Sequence, residues 1–197
     1  MKNTGSERKR RKAFIISKGV IGLIMSEKFI VGIIVSNHFG VLNRVAGLYA
    51  KRGYNIDSLA VGETEDPAVS RMTIVSTGDE YMRSQVLKQL AKLQDVKMVA
   101  LLDNDTSVSI EHMLIKLKLD NEAGTAGRGK AAISDLINDY GGNVMDFSAD
   151  FITAEISGSS EKIERFIEEA REIGILEVCR SGLISMVQGT DGILSKK

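Results

Sequence analysis

Side chains able to do chemistry are few in this chain, and they fall in three places. Ser36-Asn37-His38-Phe39-Gly40 gathers a carboxamide, an imidazole and a glycine in one polar turn, His112 lies in "IEHMLIKLKL", and the single cysteine, Cys179, lies in "GILEVCRSGLISM". No H-x-x-x-H, C-x-x-C or H-E-x-x-H spacing occurs, so no metal ligands are assigned. The acidic stretch Asp103 to Glu111, "DNDTSVSIE", lacks the mid-loop glycine and the terminal-Glu spacing of a calcium loop, and reads as a polar linker. "NEAGTAGRGK" lacks the lysine spacing of a phosphate cradle. With no nucleophile beside a base, no catalytic residue is assigned. Cys179 excludes an internal disulfide and fits a reducing, cytoplasmic compartment; the strand pattern around it reads as inert packing.

The Asn37 turn suits a small zwitterion. The free backbone N–H groups of residues 39 to 42 open a helix, and the positive end of its dipole attracts a carboxylate. Gly40 allows close approach. Asn55, read as opening the next strand, offers an amide oxygen to an ammonium group. Ile33, Val35, Leu42 and Val61 would hold an aliphatic side chain. The same residues also serve a plainer role, in which Asn37 caps the helix and Gly40 relaxes the turn. Residue chemistry alone leaves capping and binding both open. His38 reads as exposed and incidental.

The elements that must position this turn follow from periodicity. "FIVGIIV", Phe29 to Val35, is a continuous apolar run and reads as a buried strand. Val41, Val45, Leu48 and Tyr49 then mark one face of a helix that Gly53 ends. "YNIDSLAVG" and "RMTIVST" read as strands joined at Pro67, Asp79 as the cap of a helix bearing Met82, Val86, Leu90 and Leu93, and "DVKMVALLD" as a fourth strand. After a polar break at Asn104 to Ser107 the order repeats, with His112 near the start of the first strand. The helix faces there are Ile133, Leu136, Ile137 and Tyr140, then Ile163, Phe166, Ile167, Ala170 and Ile173. Strand, helix, strand, strand, helix, strand, twice over, predicts an α+β protein of two tandem ferredoxin-like βαββαβ domains. The expected boundaries are a disordered basic extension over 1–28, a first domain over 29–103, a linker over 104–108, a second domain over 109–189 and a tail over 190–197.

The formal net charge of the 197-residue chain is zero, yet residues 1–28 hold eight lysines and arginines against two glutamates, leaving the remainder acidic by six. An acidic body is a poor nucleic-acid surface, since phosphate binding needs clustered lysine and arginine. "AFIISKGVIGLIM" is broken by Lys18 and lacks a small-residue cleavage site, which argues against export. No apolar run approaches the ~20 residues of a membrane span.

"GVLNRVAGLYAKRGYNIDSLAVGETEDPAVSRMTIV", followed by "QVLKQLAKLQDVKMV", closely resembles the regulatory small subunit of acetolactate synthase (acetohydroxyacid synthase). "SLAVGETEDPAVSRMTI" is its most specific piece, and "MLIKLKL" and "EVCRSGLISM" extend the likeness over about Phe29 to Gly189. The resemblance implies that the first unit is an ACT domain, that two such domains pair in a homodimer, and that valine binds between them. It carries ligand roles onto Asn37, Gly40 and Asn55, with Leu42 among the flanking apolar residues; Val41, Ile33 and Val61 join the candidate effector-site residues. It implies feedback inhibition by valine in branched-chain amino-acid (valine, leucine, isoleucine) biosynthesis. Chemistry would belong to a separate large catalytic subunit holding thiamine diphosphate, FAD and Mg²⁺, with no cofactor on this chain. The exposed turn at Glu65 and Asp66 is the candidate partner contact. His112 stands where many relatives have arginine. A stand-alone amino-acid-sensing ACT protein is the alternative reading.

Overall fold

The computed structural model describes residues 26–119, 129–189 and 192–193. Its first sheet is built on β1 (Glu27–Ser36), which is apolar on both faces. Phe29, Val31, Ile33 and Val35 pack against helix α1 (Val41–Lys51) and helix α2 (Glu80–Leu90). Ile30 and Ile34 face the other way. Strands β2 (Ser58–Glu63), β3 (Val69–Gly78) and β4 (Val96–Leu102) complete an antiparallel sheet of order β2-β3-β1-β4. The helix-side core is closed by Val41, Val45, Leu48 and Tyr49 of α1 and by Val86 and Leu90 of α2. Each such aliphatic side chain contributes ~1.5–3 kcal/mol on burial. Asp79 caps α2 by accepting from Met82 N at 2.7 Å, and Gly53, at φ +65°, ends α1 as a left-handed residue.

The second unit repeats the order with β5 (Ser107–Lys118), α3 (Lys130–Asp139), β6 (Asn143–Phe147), β7 (Phe151–Gly158), α4 (Ser160–Ala170) and β8 (Ile175–Val187), in sheet order β6-β7-β5-β8. Its core lies on one face, where Met113, Ile115 and Leu117 of β5 meet Ile133 and Ile137 of α3 and Ile163 and Phe166 of α4. Two ferredoxin-like units in tandem are therefore what the helix and strand periodicities predict and what the chain forms.

The units are packed on one another through β8. Its pairing with β5 slips between Glu111 and Met113, where Ser181 and Gly182 form a bulge. Gly182 has φ +75°, and a Cβ there would lie 2.6 Å from Ser58 Oγ. The same hydroxyl accepts from Leu183 N at 3.0 Å. Beyond the bulge, Leu183 and Val187 cover the back of the first sheet, together with Ile193, against Ile30, Ile34, Val69, Val75 and Leu102. Gly32 makes room for that contact, since a Cβ on it would meet Ile193 Cδ1 at 2.6 Å.

Several boundaries differ from the sequence reading. β1 begins two residues early, at Glu27, because Glu27 and Lys28 pair with Gly78 and Thr77; residues 1–25 of the expected extension lie outside the described residues. Ser107 and Val108, assigned to the linker, already pair with Val187 and Met186. β2 starts at Ser58, not Asn55, and His112 sits inside β5 rather than at its start. Ile193, assigned to the tail, is buried at 3% exposure. Cys179 is exposed, not packed, because the face of the second sheet that it shares with Leu114 carries no helix.

Candidate functional site

At the end of β1 the chain is tied down on two sides. Ser36 N donates to Asp95 O at 2.9 Å and Asn37 N to Ala68 O at 2.8 Å. The Asn37 side chain does not cap the helix: its Nδ2 donates to Glu63 Oε1 at 3.0 Å and to Pro67 O at 2.8 Å. Both amide hydrogens are thereby used, and two acceptors fix the orientation of the carboxamide. Only Oδ1 remains, an acceptor suited to an ammonium group.

Gly40 is the N-cap of α1, at φ +85° with no side-chain cap bond. Among the described residues, no acceptor pairs with the backbone N–H groups of Phe39, Gly40, Leu42 or Asn43, and the first turn holds no acidic residue. The positive end of the helix is thus open to an anion. Arg44, one turn on, adds a guanidinium there; its Nη1 would lie 3.2 Å from a Cβ on Gly40. Asp95 holds this side of the turn, accepting from Arg44 Nε at 2.5 Å and pairing with His38 Nε2 at 3.0 Å. Arg44 first, and His38 after it, keep the Asp95 carboxyl below the usual carboxylate range. His38 is half exposed, as expected, but it is not incidental.

Asn55 lies elsewhere. It precedes β2, where its Nδ2 donates to Asp57 Oδ1 at 2.6 Å, and Asp57 Oδ2 accepts from Thr77 Oγ1 at 2.6 Å. The register places Ser58 beside Val75 and Glu63 beside Ser70, so Asn55 and Asn37 stand at opposite ends of β2. Six residues of strand separate those ends by roughly 20 Å. Within one chain, Asn37 and Gly40 come together and Asn55 does not join them. Ile33, Val35 and Val41 are sealed in the core at 0–3% exposure, while Leu42 and Val61 are exposed at 42% and 47%. Only the latter pair can touch a ligand without repacking.

The loop after β2 is ordered by its own turn. Asp66 Oδ1 accepts from Ala68 N at 2.9 Å, and Asp66 O accepts from Val69 N at 2.9 Å. Glu65 and Asp66 are exposed. Because Pro67 O is held by Asn37, this loop and the helix-opening turn are mechanically joined. The sequence reading missed Glu63, Arg44 and Asp95; only Arg44, one helical turn past Gly40, left a local signal.

His112, Ser157 and Glu155 lie together on the second sheet. Ser157 Oγ lies 2.6 Å from His112 Nδ1 and donates to Glu155 Oε1 at 2.8 Å. The carboxylate thus takes the hydroxyl hydrogen, whereas an activated serine needs the imidazole as its acceptor. Among the described residues no group of three His, Cys, Asp or Glu could hold a metal ion, and no helix is long and apolar enough to cross a membrane.

Comparison with known proteins gives this geometry a family. The AHAS small subunit-like ACT domain matches residues 31–98, and the small subunit of acetolactate synthase family matches residues 110–189. The chain belongs to the acetolactate synthase small-subunit family. It is similar to the probable acetolactate synthase small subunit of Methanothermobacter thermautotrophicus, at 38% identity over 82% of this chain and 93% of that protein. The corresponding Archaeoglobus fulgidus protein is 40% identical, over 82% and 98%. The crystal structure of the acetolactate synthase small subunit from Thermotoga maritima matches with a TM-score of 0.75 at 33% identity, over 84% and 99%. The uncapped α1 turn therefore belongs to the ACT unit of an acetolactate synthase small subunit, a regulatory class of chain.

Proposed function

We propose that this chain is the non-catalytic regulatory subunit of a cytoplasmic acetolactate synthase, docking on a catalytic large subunit, raising its activity, and conferring inhibition by valine in branched-chain amino-acid biosynthesis. Thiamine diphosphate, FAD and Mg²⁺ would be held by the catalytic partner. The observation that carries the reading is the open, uncapped start of α1, which follows Asn37, whose amide hydrogens are both taken by Glu63 and Pro67. The N–H groups of Phe39, Gly40 and Leu42 would take the valine carboxylate and Asn37 Oδ1 its ammonium group.

A second copy would supply the other half of the site. β2 is an edge strand of the first sheet, the one that carries Glu63, the partner of Asn37. A two-fold axis perpendicular to the sheet would pair β2 with β2 of a second copy, antiparallel, with both α1 helices on the same face. That operation places the Asn55 end of one protomer beside the Asn37 end of the other. Asn55 would then complete the clamp in trans, with exposed Leu42 and Val61 at the seam. Inhibition further requires that valine bind two states of the complex with different affinity. Bound at Asn37, it acts on the residue that also holds the Glu65–Asp66 loop through Pro67 O, which gives the loop a reason to move.

The test is a steady-state assay of a purified acetolactate synthase large subunit with and without this chain, and with and without valine. The expected result is a higher rate with the chain and a valine-dependent loss of that gain. A rate indifferent to the chain sinks the reading.

A further inference from the structure

Two carboxamides would meet in the two-fold clamp, and each has its NH₂ group turned onto a carboxylate. Asn37 Nδ2 donates to Glu63 Oε1 at 3.0 Å and to Pro67 O at 2.8 Å, and Asn55 Nδ2 donates to Asp57 Oδ1 at 2.6 Å. A carboxylate or carbonyl oxygen has no hydrogen to give back, so neither amide can turn over without setting its own oxygen against another. The carboxylates are held in their turn. Asp57 Oδ2 accepts from Thr77 Oγ1 at 2.6 Å and Asp57 N donates to Val75 O at 2.8 Å, while Glu63 lies in β2 opposite Ser70.

Both amides therefore present Oδ1, an acceptor that cannot donate, with a carboxylate one hydrogen bond behind it. The opening of α1 is the reverse: backbone N–H donors with no acidic residue in the first turn, and the Arg44 guanidinium one turn on. A site with donors at one end and carboxylate-backed acceptors at the other fits a molecule that carries an anion and a cationic donor together. It disfavours one that brings a second acceptor to the amide end. The 2-oxo acid with the carbon skeleton of valine is such a molecule, since it keeps the carboxylate and the branch but has a carbonyl oxygen where the ammonium group stood.

We infer that Glu63 and Asp57 are positioning residues that set specificity, locking Asn37 and Asn55 as acceptors so that the site answers to the amino acid and rejects its 2-oxo acid. This assignment rests on the reading of the α1 turn as a valine site. A site built around a hydrogen bond discriminates against an analogue lacking it far more strongly than an apolar pocket discriminates one methylene.

Titration of the full chain with valine and with 3-methyl-2-oxobutanoate tests it, in wild type, Glu63→Lys and Asp57→Asn. Wild type should prefer valine at least roughly a hundredfold. Glu63→Lys puts an ammonium donor where an acceptor stood, so that it competes for Asn37 Oδ1; valine affinity should fall at least tenfold while that for the 2-oxo acid rises. Asp57→Asn keeps an acceptor for Asn55 but removes the charge, and should weaken valine several-fold with the 2-oxo acid unchanged within about twofold. Both side chains are exposed, so either variant carries the test if the other does not fold. A purely structural role would weaken both ligands together and keep their ratio; that result overturns the assignment and leaves the valine site standing, as does a wild type that binds the two ligands equally. A wild-type chain that does not bind valine removes both the site and the assignment.

Discussion

Gly40 concentrates two separable demands in one residue. Its φ of +85° costs an L-residue ~1–2 kcal/mol, and Arg44 lies 3.2 Å from where a Cβ would sit. Gly40→Ala should therefore lower the melting temperature and weaken valine binding modestly. Gly40→Asp adds a carboxylate ~4 Å from that of the ligand, a repulsion of ~4 kcal/mol at an effective dielectric of ~20. It should abolish valine inhibition while activation of the large subunit survives; a valine-sensitive Gly40→Asp complex would remove the helix start as the carboxylate site. A different residue-scale test concerns Glu111, buried and held by Arg180 Nε at 2.6 Å and Nη2 at 2.9 Å. Burial pushes its carboxyl up, but the bonds from Arg180 and then Ser160 outweigh that and leave it below the ordinary glutamate value. A depressed folded pKa means stability that is present above the ordinary glutamate range and is lost as pH falls through the lower, folded value. Arg180→Met should cost ~3 kcal/mol at neutral pH by stranding a buried carboxylate. In that variant the carboxyl rises, so it protonates earlier on acidification, and the gap in melting temperature from wild type should narrow toward pH 5. A gap that widens would contradict the assignment.

At the scale of elements, the periodic features were legible in the sequence because burial imposes a period. The α1 face Val41, Val45, Leu48, Tyr49 and the Asp79 cap needed no tertiary knowledge. Asn55 was misplaced because Ile56 sits among polar neighbours as it would in a strand, while the ladder begins only after Asp57 is anchored to Val75 O and Thr77 Oγ1. The role of Asn37 was hidden since its acceptors lie on Glu63 and Pro67, distant in sequence. The β8 bulge was equally hidden: Gly182 is required by its approach to Ser58, a residue of the other unit. Gly182→Val should therefore destabilise the whole chain by ~2 kcal/mol or more in a urea titration, since it strains the backbone and forces β8 off β2. The loop after β2 offers another element-scale test. Charge reversal of Glu65 and Asp66 should weaken activation of the large subunit and spare valine binding by the free chain; unchanged activation would take the loop out of the interface.

The whole molecule is where the effector site is completed, if Asn37 and Asn55 act across a two-fold axis. Asn37→Ala and Asn55→Ala homodimers should each lose valine binding. A heterodimer of the two carries one site lacking both amides and one that is intact. Refolding an equimolar mixture should restore about a quarter of the wild-type sites, read by calorimetry, if pairing is random. No restoration on mixing would confine the site to a single chain.

Ile193 gives the molecule a direction in time. The back of the first sheet, Ile30, Ile34, Val69, Val75 and Leu102, is covered by residues that are made only after the helices of the second unit, Leu183, Val187 and Ile193. The first unit can close its helix-side core early in synthesis, but its other face stays bare until β8 has been made. During that interval the nascent chain presents an apolar strip with its edge strand β2 alongside, a form prone to association or chaperone capture. Premature termination before β8 would thus leave a product with a finished α1 turn and an unfinished back.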